Sequence, residues 1–154
     1  MIYKRRNRPA RGVLESDSYP TLVFVTACTK GRNRWLANPL VHAALRASWS
    51  RHTHWLIGPY VIMPDHVHFF AEPGERPLAF DDWVKVWKAG AARILKNREW
   101  RWQAGCLHHR IRSYEDHVAK RTYMDENPVR AGLVERVEDW PYRGELFRRS
   151  DWLP

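Results

Sequence analysis

Two histidines separated by one residue are the first chemically suggestive feature of this sequence. His66 and His68 flank Val67 within an apolar run that is typical of a β-strand. Because successive side chains of a strand point to opposite faces, both imidazoles share one face and Val67 points into the core. Two adjacent imidazoles on a rigid surface suit metal binding, although two ordinary strand histidines would have the same spacing. The pair is therefore a candidate metal site that needs further ligands.

A tyrosine and an asparagine further along the chain supply groups that such a site needs. Tyr123 and Asn127 are four residues apart in a segment predicted to be helical, so they lie on one face. Asn127 offers an amide oxygen as a ligand, and Tyr123 offers a nucleophilic hydroxyl. Placed over the histidine pair, this set suits phosphoryl transfer, in which a divalent ion activates a phosphodiester while tyrosine attacks it. Tyr114 is a rival nucleophile, but it lies more than two turns from Asn127 and is interpreted as structural.

The elements that must position these residues alternate between strands and helices. The first half of the chain contains a strand over 21–29, a helix from the Asn38 cap to about residue 51, and a strand over 54–62 bent at Gly58 and Pro59. The His66 strand follows, and then a helix that opens at Asp81 or Asp82. The last elements are a short strand before the Ser113 cap and a helix over 114–126 that stops at Pro128. This order predicts an α+β fold. We expect a ferredoxin-like sandwich with one mainly antiparallel sheet and helices packed on it.

Length and charge indicate one basic domain with a nucleic-acid partner. The 154 residues suit a single domain, with a basic arm over 1–20 and an irregular tail over 141–154. Arginine accounts for 20 of the 26 basic residues, and the formal net charge is +9. Guanidinium groups bind phosphate bidentately and aromatic rings stack on unpaired bases, so this charge and the 9 tryptophans favour single-stranded nucleic acid. The residues predicted to contact it are Lys4, Arg5, Arg6, Arg8, Lys88, Arg110, Arg112, Lys120 and Arg130.

The cysteines and the apolar runs exclude several other classes of protein. Cys28 and Cys106 are the only cysteines, so no disulfide framework is indicated. A structural zinc site made of both cysteines with His108 and His109 is an alternative that irregular spacing disfavours. The chain opens on a basic segment without an apolar signal and contains no run of about 18 apolar residues. We therefore expect a cytoplasmic protein with no membrane contact, either a monomer or a homodimer.

Two motifs in this order resemble those of a known family. Residues 63–68 read MPDHVH, and residues 123–134 read YMDENPVRAGLV. Together they resemble the REP-associated tyrosine transposases, within the single-tyrosine HUH transposases of bacterial insertion sequences. The resemblance extends over about residues 19–142. Members of this family cleave single-stranded DNA at the foot of imperfect palindromic hairpins, form a 5′-phosphotyrosine and use Mg²⁺ or Mn²⁺.

The resemblance assigns a role to each candidate site residue. It implies that His66 and His68 are metal ligands, that Tyr123 is the nucleophile and that Asn127 is the third ligand. Insertion-sequence relatives commonly carry glutamine at the last position. The implied function is a metal-dependent transposase that cleaves and rejoins single-stranded DNA at hairpins. The alternative is a domesticated, non-catalytic protein that binds hairpin DNA or RNA, which would need the basic surface but not Tyr123.

Overall fold

The computed structural model describes residues 21–148 of the chain, so the predicted basic arm and residues 149–154 lie outside the described part. The strands are β1 (Val23–Cys28), β2 (Trp55–Ile62), β3 (His66–Pro73), β4 (Leu107–Arg110) and β5 (Arg143–Glu145). The helices are α1 (Pro39–Arg51), α2 (Phe80–Leu95) and α3 (Tyr114–Arg130), with short 3-10 turns at Lys30–Arg32 and Val137–Asp139. The predicted order of strands and helices is confirmed as far as α3, and β5 is an addition to it.

The strands form one antiparallel sheet in the order β4-β1-β3-β2-β5. The first four strands have the ferredoxin-like arrangement, so the predicted α+β sandwich is confirmed. In the central pair β1–β3, Thr26 lies opposite His68 and Cys28 lies opposite His66. The β2–β3 register shifts between Ile57 and Tyr60, where the sequence predicted a bend.

Helices cover both faces of the sheet, and the two faces differ in composition. The helix-pair face is the one covered by α1 and α2; Trp49, Trp83 and Trp87 pack there against Phe69 and are at most 1% exposed. The α3 face is the opposite one, with a smaller apolar cluster formed by Leu22, Phe24, Val61, Met63, Phe70, Ile111, Met124 and Trp140. Because side chains alternate along β3, His66 and His68 lie on the α3 face.

Helix α3 begins where the sequence predicts and ends later. The Ser113 hydroxyl accepts a hydrogen bond from the Asp116 amide at 3.1 Å. The expected stop at Pro128 is wrong, because the helix continues to Arg130 and Ala131 N still donates to Asn127 O. The helix closes on Gly132 at φ 74, with hydrogen bonds from Leu133 N to Pro128 O and from Gly132 N to Val129 O. Asn127 is therefore held inside the helix.

The tail predicted to be irregular contributes a fifth strand. Residues 143–145 pair with β2 as β5, and the Trp140 indole donates to Ile62 O at 2.9 Å. The backbone amide of Ile62 in turn donates to Tyr142 O at 2.8 Å. These bonds satisfy polar groups at the outer side of β2, which the local sequence of the tail does not reveal.

Candidate active site

His68 is the more deeply placed of the two histidines, at 4% exposure in the centre of the sheet. Its ring stacks on Phe24 at a centroid distance of 5.2 Å, and its Nδ1 lies 2.9 Å from the Thr26 hydroxyl. Burial is the main cause that lowers the pKa of His68 to about 3, and the nearby charges of His66 and Arg130 contribute to the same shift. The ring is thus neutral at pH 7. With Nδ1–H donating to Thr26, the Nε2 lone pair is available as a ligand.

His66 is oriented by the carboxylate that precedes it in the sequence. Its Nδ1 lies 2.8 Å from Asp65 Oδ1, while Asp65 Oδ2 accepts from Arg32 Nε at 3.0 Å. Burial opposes ionisation of Asp65, but the hydrogen bonds from His66 and Arg32 outweigh it and lower the pKa of this carboxyl. An ionised carboxylate accepts from an N–H, so the His66 Nδ1 carries a proton. Its Nε2 lies 3.0 Å from Asn127 Oδ1.

Helix α3 brings its two candidate residues to the histidine pair. Asn127 Oδ1 lies 3.0 Å from His66 Nε2, and the Tyr123 ring packs edge-on to His68 at a centroid distance of 5.7 Å. The two imidazoles are themselves 4.7 Å apart between centroids. The structure therefore gathers all four sequence-predicted site residues from the same chain. Tyr123 is 49% exposed, so its hydroxyl-bearing ring is open to a bound substrate.

The nitrogen and oxygen donors of the candidate site could hold a divalent cation. His68 Nε2 is buried and makes no hydrogen bond, although the Asn127 amide lies near enough to oppose the fall in its pKa. The Asn127 Oδ1 lies 3.0 Å from His66 Nε2, close enough for one cation to be shared by the two groups. Across residues 21–148 no group of three or more His, Cys, Asp or Glu side chains is placed to hold a metal. Beside the two imidazoles, the asparagine amide is the candidate third donor.

Arg130 covers the candidate nucleophile. Its guanidinium carbon lies 4.2 Å from the Tyr123 ring centroid, and its Nη2 donates to Tyr123 O at 2.7 Å. Arg130 is one turn beyond Asn127 and also approaches Glu126 at 4.0 Å. Arg130 thus packs against the Tyr123 ring and restricts its orientation, while part of the arginine side chain stays exposed to solvent.

Two of the residues predicted to contact nucleic acid are largely buried. Lys88 and Arg110 are each 9% exposed, and their contacts stay predictions. The Lys88 ammonium donates to Gln103 O and Gly105 O, so it holds the loop that precedes β4. The helical pattern placed Lys88 on a polar face, but this loop folds over that face. Such a tertiary contact is not visible in local periodicity.

The other predicted contacts keep their status as predictions. Lys4, Arg5, Arg6 and Arg8 lie outside the described residues. Lys120 and Arg130 are on α3, and Arg112 is exposed just before it, so these three lie on the helix that carries Tyr123 or beside it. Tyr114, the rival nucleophile, is at the first residue of α3, about 13 Å along the axis from Tyr123.

The positioning residues are what the sequence reasoning missed. Thr26, Arg32 and Asp65 each orient a histidine or its partner, yet none has a distinctive spacing. The adjacency of Asp65 to His66 was the available signal. Thr26 becomes visible only through the β1–β3 register, which places it directly across from His68.

The alternative zinc site does not form. His108 and His109 point to opposite faces of β4, where His108 packs on Phe80 and His109 bonds Asp116 at 2.7 Å. Cys106 is buried in the core of the helix-pair face. Both cysteines are free thiols. Within residues 21–148, no helix has the length and apolar character required to span a membrane.

Comparison with known proteins supports the resemblance read from the two motifs. No family model matches the chain. A REP-associated tyrosine transposase of Escherichia coli is 31% identical over 91 residues, covering 56% of this chain and 52% of that protein. A candidate REP-associated tyrosine transposase of Haemophilus influenzae is 33% identical over 94 residues, covering 53% of each. The chain thus spans about half the length of the curated relatives it matches.

Solved structures share the fold. A REP-associated tyrosine transposase bound to a REP hairpin superposes with a TM-score of 0.71 at 20% identity, over 92% of this chain and 94% of that one. A candidate transposase from Deinococcus radiodurans gives a TM-score of 0.50 at 19% identity, over 77% of this chain and 96% of that one. The chain is an α+β protein with the fold of these structures. In its two motifs and in sequence, it resembles the REP-associated tyrosine transposases.

Proposed function

We propose that this protein is a metal-dependent, transposase-type enzyme that cleaves and rejoins single-stranded DNA at hairpins. One observation carries the proposal: α3 brings Tyr123 over His68 and Asn127 to His66, so nucleophile and ligands converge on one surface. The names of the curated relatives support a transposase activity, and the solved relative bound to a REP hairpin supports a hairpin substrate.

The chain's own residues would prepare the site for its metal. His66 Nε2, His68 Nε2 and Asn127 Oδ1 would hold a divalent ion, which the resemblance implies is Mg²⁺ or Mn²⁺. When bound, the ion supplies electrophilic activation of a phosphodiester. Asp65 and Thr26 keep the Nδ1 protons of the two rings engaged, which leaves both Nε2 lone pairs directed at the site.

Tyr123 performs the covalent step in this proposal. Its hydroxyl oxygen forms a bond to phosphorus, and the bond from phosphorus to the 3′ oxygen of the preceding nucleotide breaks. The tyrosyl proton passes to solvent and the released 3′ oxygen takes up a proton, so the step is balanced. The product is a 5′-phosphotyrosine and a free 3′-OH, and attack by a 3′-OH reverses the step to rejoin strands. Arg130 stacks on the ring and keeps it directed at the surface.

The basic surface supplies the affinity for DNA. A formal net charge of +9 predicts binding that weakens steeply with salt, because each neutralised phosphate releases counterions. We expect a fluorescent hairpin with single-stranded flanks to lose at least about tenfold in affinity between 50 and 200 mM NaCl. Blunt duplex should bind more weakly, since it offers no unpaired bases for stacking. Equal binding of both probes at all salt concentrations would contradict this expectation.

The test of the activity is a covalent adduct. Wild-type protein is incubated with end-labelled single-stranded hairpins from DNA flanking its gene, with Mn²⁺ or Mg²⁺, and resolved on a denaturing gel. We expect an adduct and a shortened strand with wild type, neither with Tyr123→Phe, and both with the matched variant Tyr114→Phe. The Phe ring keeps the packing against His68, so hairpin binding should be nearly unchanged.

Two outcomes would overturn the assignment. An adduct that survives in Tyr123→Phe and disappears in Tyr114→Phe would move the chemistry to the beginning of α3. Tight hairpin binding by wild type without any adduct, across hairpins from both flanks, would favour the non-catalytic binding protein.

A further inference from the structure

The turn after β1 contains an unusual backbone conformation beside the site. Arg32 has a φ of 56°, in the left-handed region that disfavours residues with a side chain. Lys96, at the end of α2, is the other non-glycine residue with positive φ within residues 21–148. A strained arginine next to a candidate active site calls for a reason, because such strain persists only where the surroundings enforce it.

The surroundings of Arg32 converge on Asp65. Thr29 donates to Asp65 O from its amide at 3.0 Å and from its hydroxyl at 3.2 Å, which fixes the turn to this residue. The Arg32 amide donates back to Thr29 O at 3.1 Å. With the turn anchored in this way, Arg32 Nε reaches Asp65 Oδ2 at 3.0 Å and leaves Oδ1 for His66 Nδ1 at 2.8 Å. The left-handed conformation therefore directs the guanidinium at the carboxylate that orients His66, and Arg32 Nη2 also lies 3.5 Å from His66 Nδ1.

We propose that Arg32 is a positioning residue of the metal site, acting through Asp65 on the direction of the His66 ring. This inference rests on the proposed function, because orienting His66 matters only if that ring is a ligand. A pair this exposed on the arginine side would contribute little to stability by itself. Its value is geometric: a carboxylate held at both oxygens keeps one rotamer, and the imidazole bonded to it keeps one orientation.

The first test exploits the two strained residues. Arg32→Gly removes the guanidinium and relieves the strain, while Lys96→Gly relieves the same kind of strain away from Asp65. We expect both variants to unfold at or above the wild-type temperature. Mn²⁺ affinity by calorimetry should fall about tenfold in Arg32→Gly alone. Loss of a positive charge near a cation site would raise the affinity, so electrostatics alone does not account for a fall. Unchanged or raised affinity in Arg32→Gly would overturn the proposal.

The second test asks whether Arg32 acts through Asp65. Asp65→Asn removes the ionised acceptor with little change of shape, and we expect it to weaken Mn²⁺ binding at least as much as Arg32→Gly. If the arginine acts through the carboxylate, the double variant binds Mn²⁺ no more weakly than Asp65→Asn. Additive losses would show an independent action of Arg32 and overturn the proposal.

The third test needs no metal. The ¹⁵N chemical shifts of the His66 ring in metal-free protein report which nitrogen carries the proton. We expect a single Nδ1–H form in wild type and in Lys96→Gly, and averaged shifts in Arg32→Gly. Identical His66 shifts in all three proteins would overturn the positioning role. If wild type failed to bind Mn²⁺ but the shifts changed as expected, the proposed function would fail while the coupling of Arg32 to His66 stood.

Discussion

The two faces of the sheet are built for different tasks. On the helix-pair face, Trp49 and Trp87 pack edge to face and both are at most 1% exposed. On the α3 face, the same β3 strand presents His66 and His68 to a helix whose Tyr123 is half in solvent. One strand thus contributes alternate side chains to the main core and to the face that carries the candidate site. Because successive side chains of a strand point to opposite faces, the residues of β3 that stabilise the main core alternate with those of the candidate site.

The largest loss of stability should come from a substitution in the core of the helix-pair face. Trp87 is fully buried and its ring contacts Trp49, Phe69 and Trp102, so Trp87→Ala leaves a large cavity. We expect a loss of about 3 to 5 kcal/mol in the free energy of unfolding, measured with urea. Tyr123→Ala, which also truncates an aromatic ring but on the α3 face, should cost less because this side chain is 49% exposed. Equal losses would mean that the α3 face also supports the fold.

Removal of the two candidate histidine ligands should lower the affinity for metal. In His66→Ala with His68→Ala, we expect Mn²⁺ affinity by calorimetry to fall at least about 100-fold, since two of three protein donors are gone. The control is His42→Ala, which removes a histidine on α1 that bonds the Tyr60 hydroxyl at 2.6 Å. The control variant should bind Mn²⁺ as wild type does. Full binding by the double variant would place the metal elsewhere.

The pH dependence of stability should report the burial of His68. Its folded pKa of about 3 lies below the ordinary value near 6.5, so protonation favours the unfolded chain. The stability linked to neutral His68 is fully present above pH 6.5 and is lost as the pH falls toward 3. In metal-free protein, about 2 kcal/mol of the free energy of unfolding should already be lost at pH 5. His42 and His52 also have lowered pKa values, mainly through burial, so the wild-type slope contains their share.

The difference between two pH series isolates His68. Urea unfolding of wild type and of His68→Asn is followed from pH 8 to pH 5, and we expect the variant to show a shallower decline by about 2 kcal/mol. The variant has a lower absolute stability because it loses the contact with Phe24, but only its slope is compared. Parallel slopes would show that His68 is not held neutral by its surroundings.

The sequence predicted the residues of the site better than the elements that orient them. The spacings of His66 to His68 and of Tyr123 to Asn127 identify them because side-chain direction follows from strand and helix periods. Their encounter depends on how α3 crosses the sheet, which local periods do not determine. The structure brings them together, while their chemical roles stay predictions.

The structure departs from the sequence-based predictions for two physical reasons. Pro128 predicts a helix stop, yet the helix continues to Arg130 and closes locally at Gly132. Lys88 is predicted to contact nucleic acid, yet a loop folds over it, and such a tertiary contact is not visible in the local pattern. The positive φ of Arg32 likewise belongs to a turn that bonds to Asp65, a residue distant in the sequence.

The smallest effect we expect comes from the two helix caps, one on each face. Asn38 caps α1 by accepting from Val41 N at 3.0 Å, and its amide also donates to Trp35 O at 2.8 Å. Ser113 caps α3 by accepting a hydrogen bond from the Asp116 amide. The Asp116 carboxylate also bonds His109, which anchors the same end of the helix to β4. We expect Asn38→Ala to cost about 1 kcal/mol in urea unfolding and Ser113→Ala to cost less.

Hydrogen exchange separates the two consequences. Helix α1 buries Val41, Leu45 and Trp49 in the main core, so its cap should act on the global transition and slow-exchanging amides should all shift together. Helix α3 buries little beyond His117, Met124 and Pro128, so Ser113→Ala should speed exchange in its first turn alone. Because Tyr123 lies over two turns further on, the covalent adduct should form as in wild type. A larger global loss for Ser113→Ala than for Asn38→Ala would reverse the division, making the face that carries the chemistry the one that holds the fold.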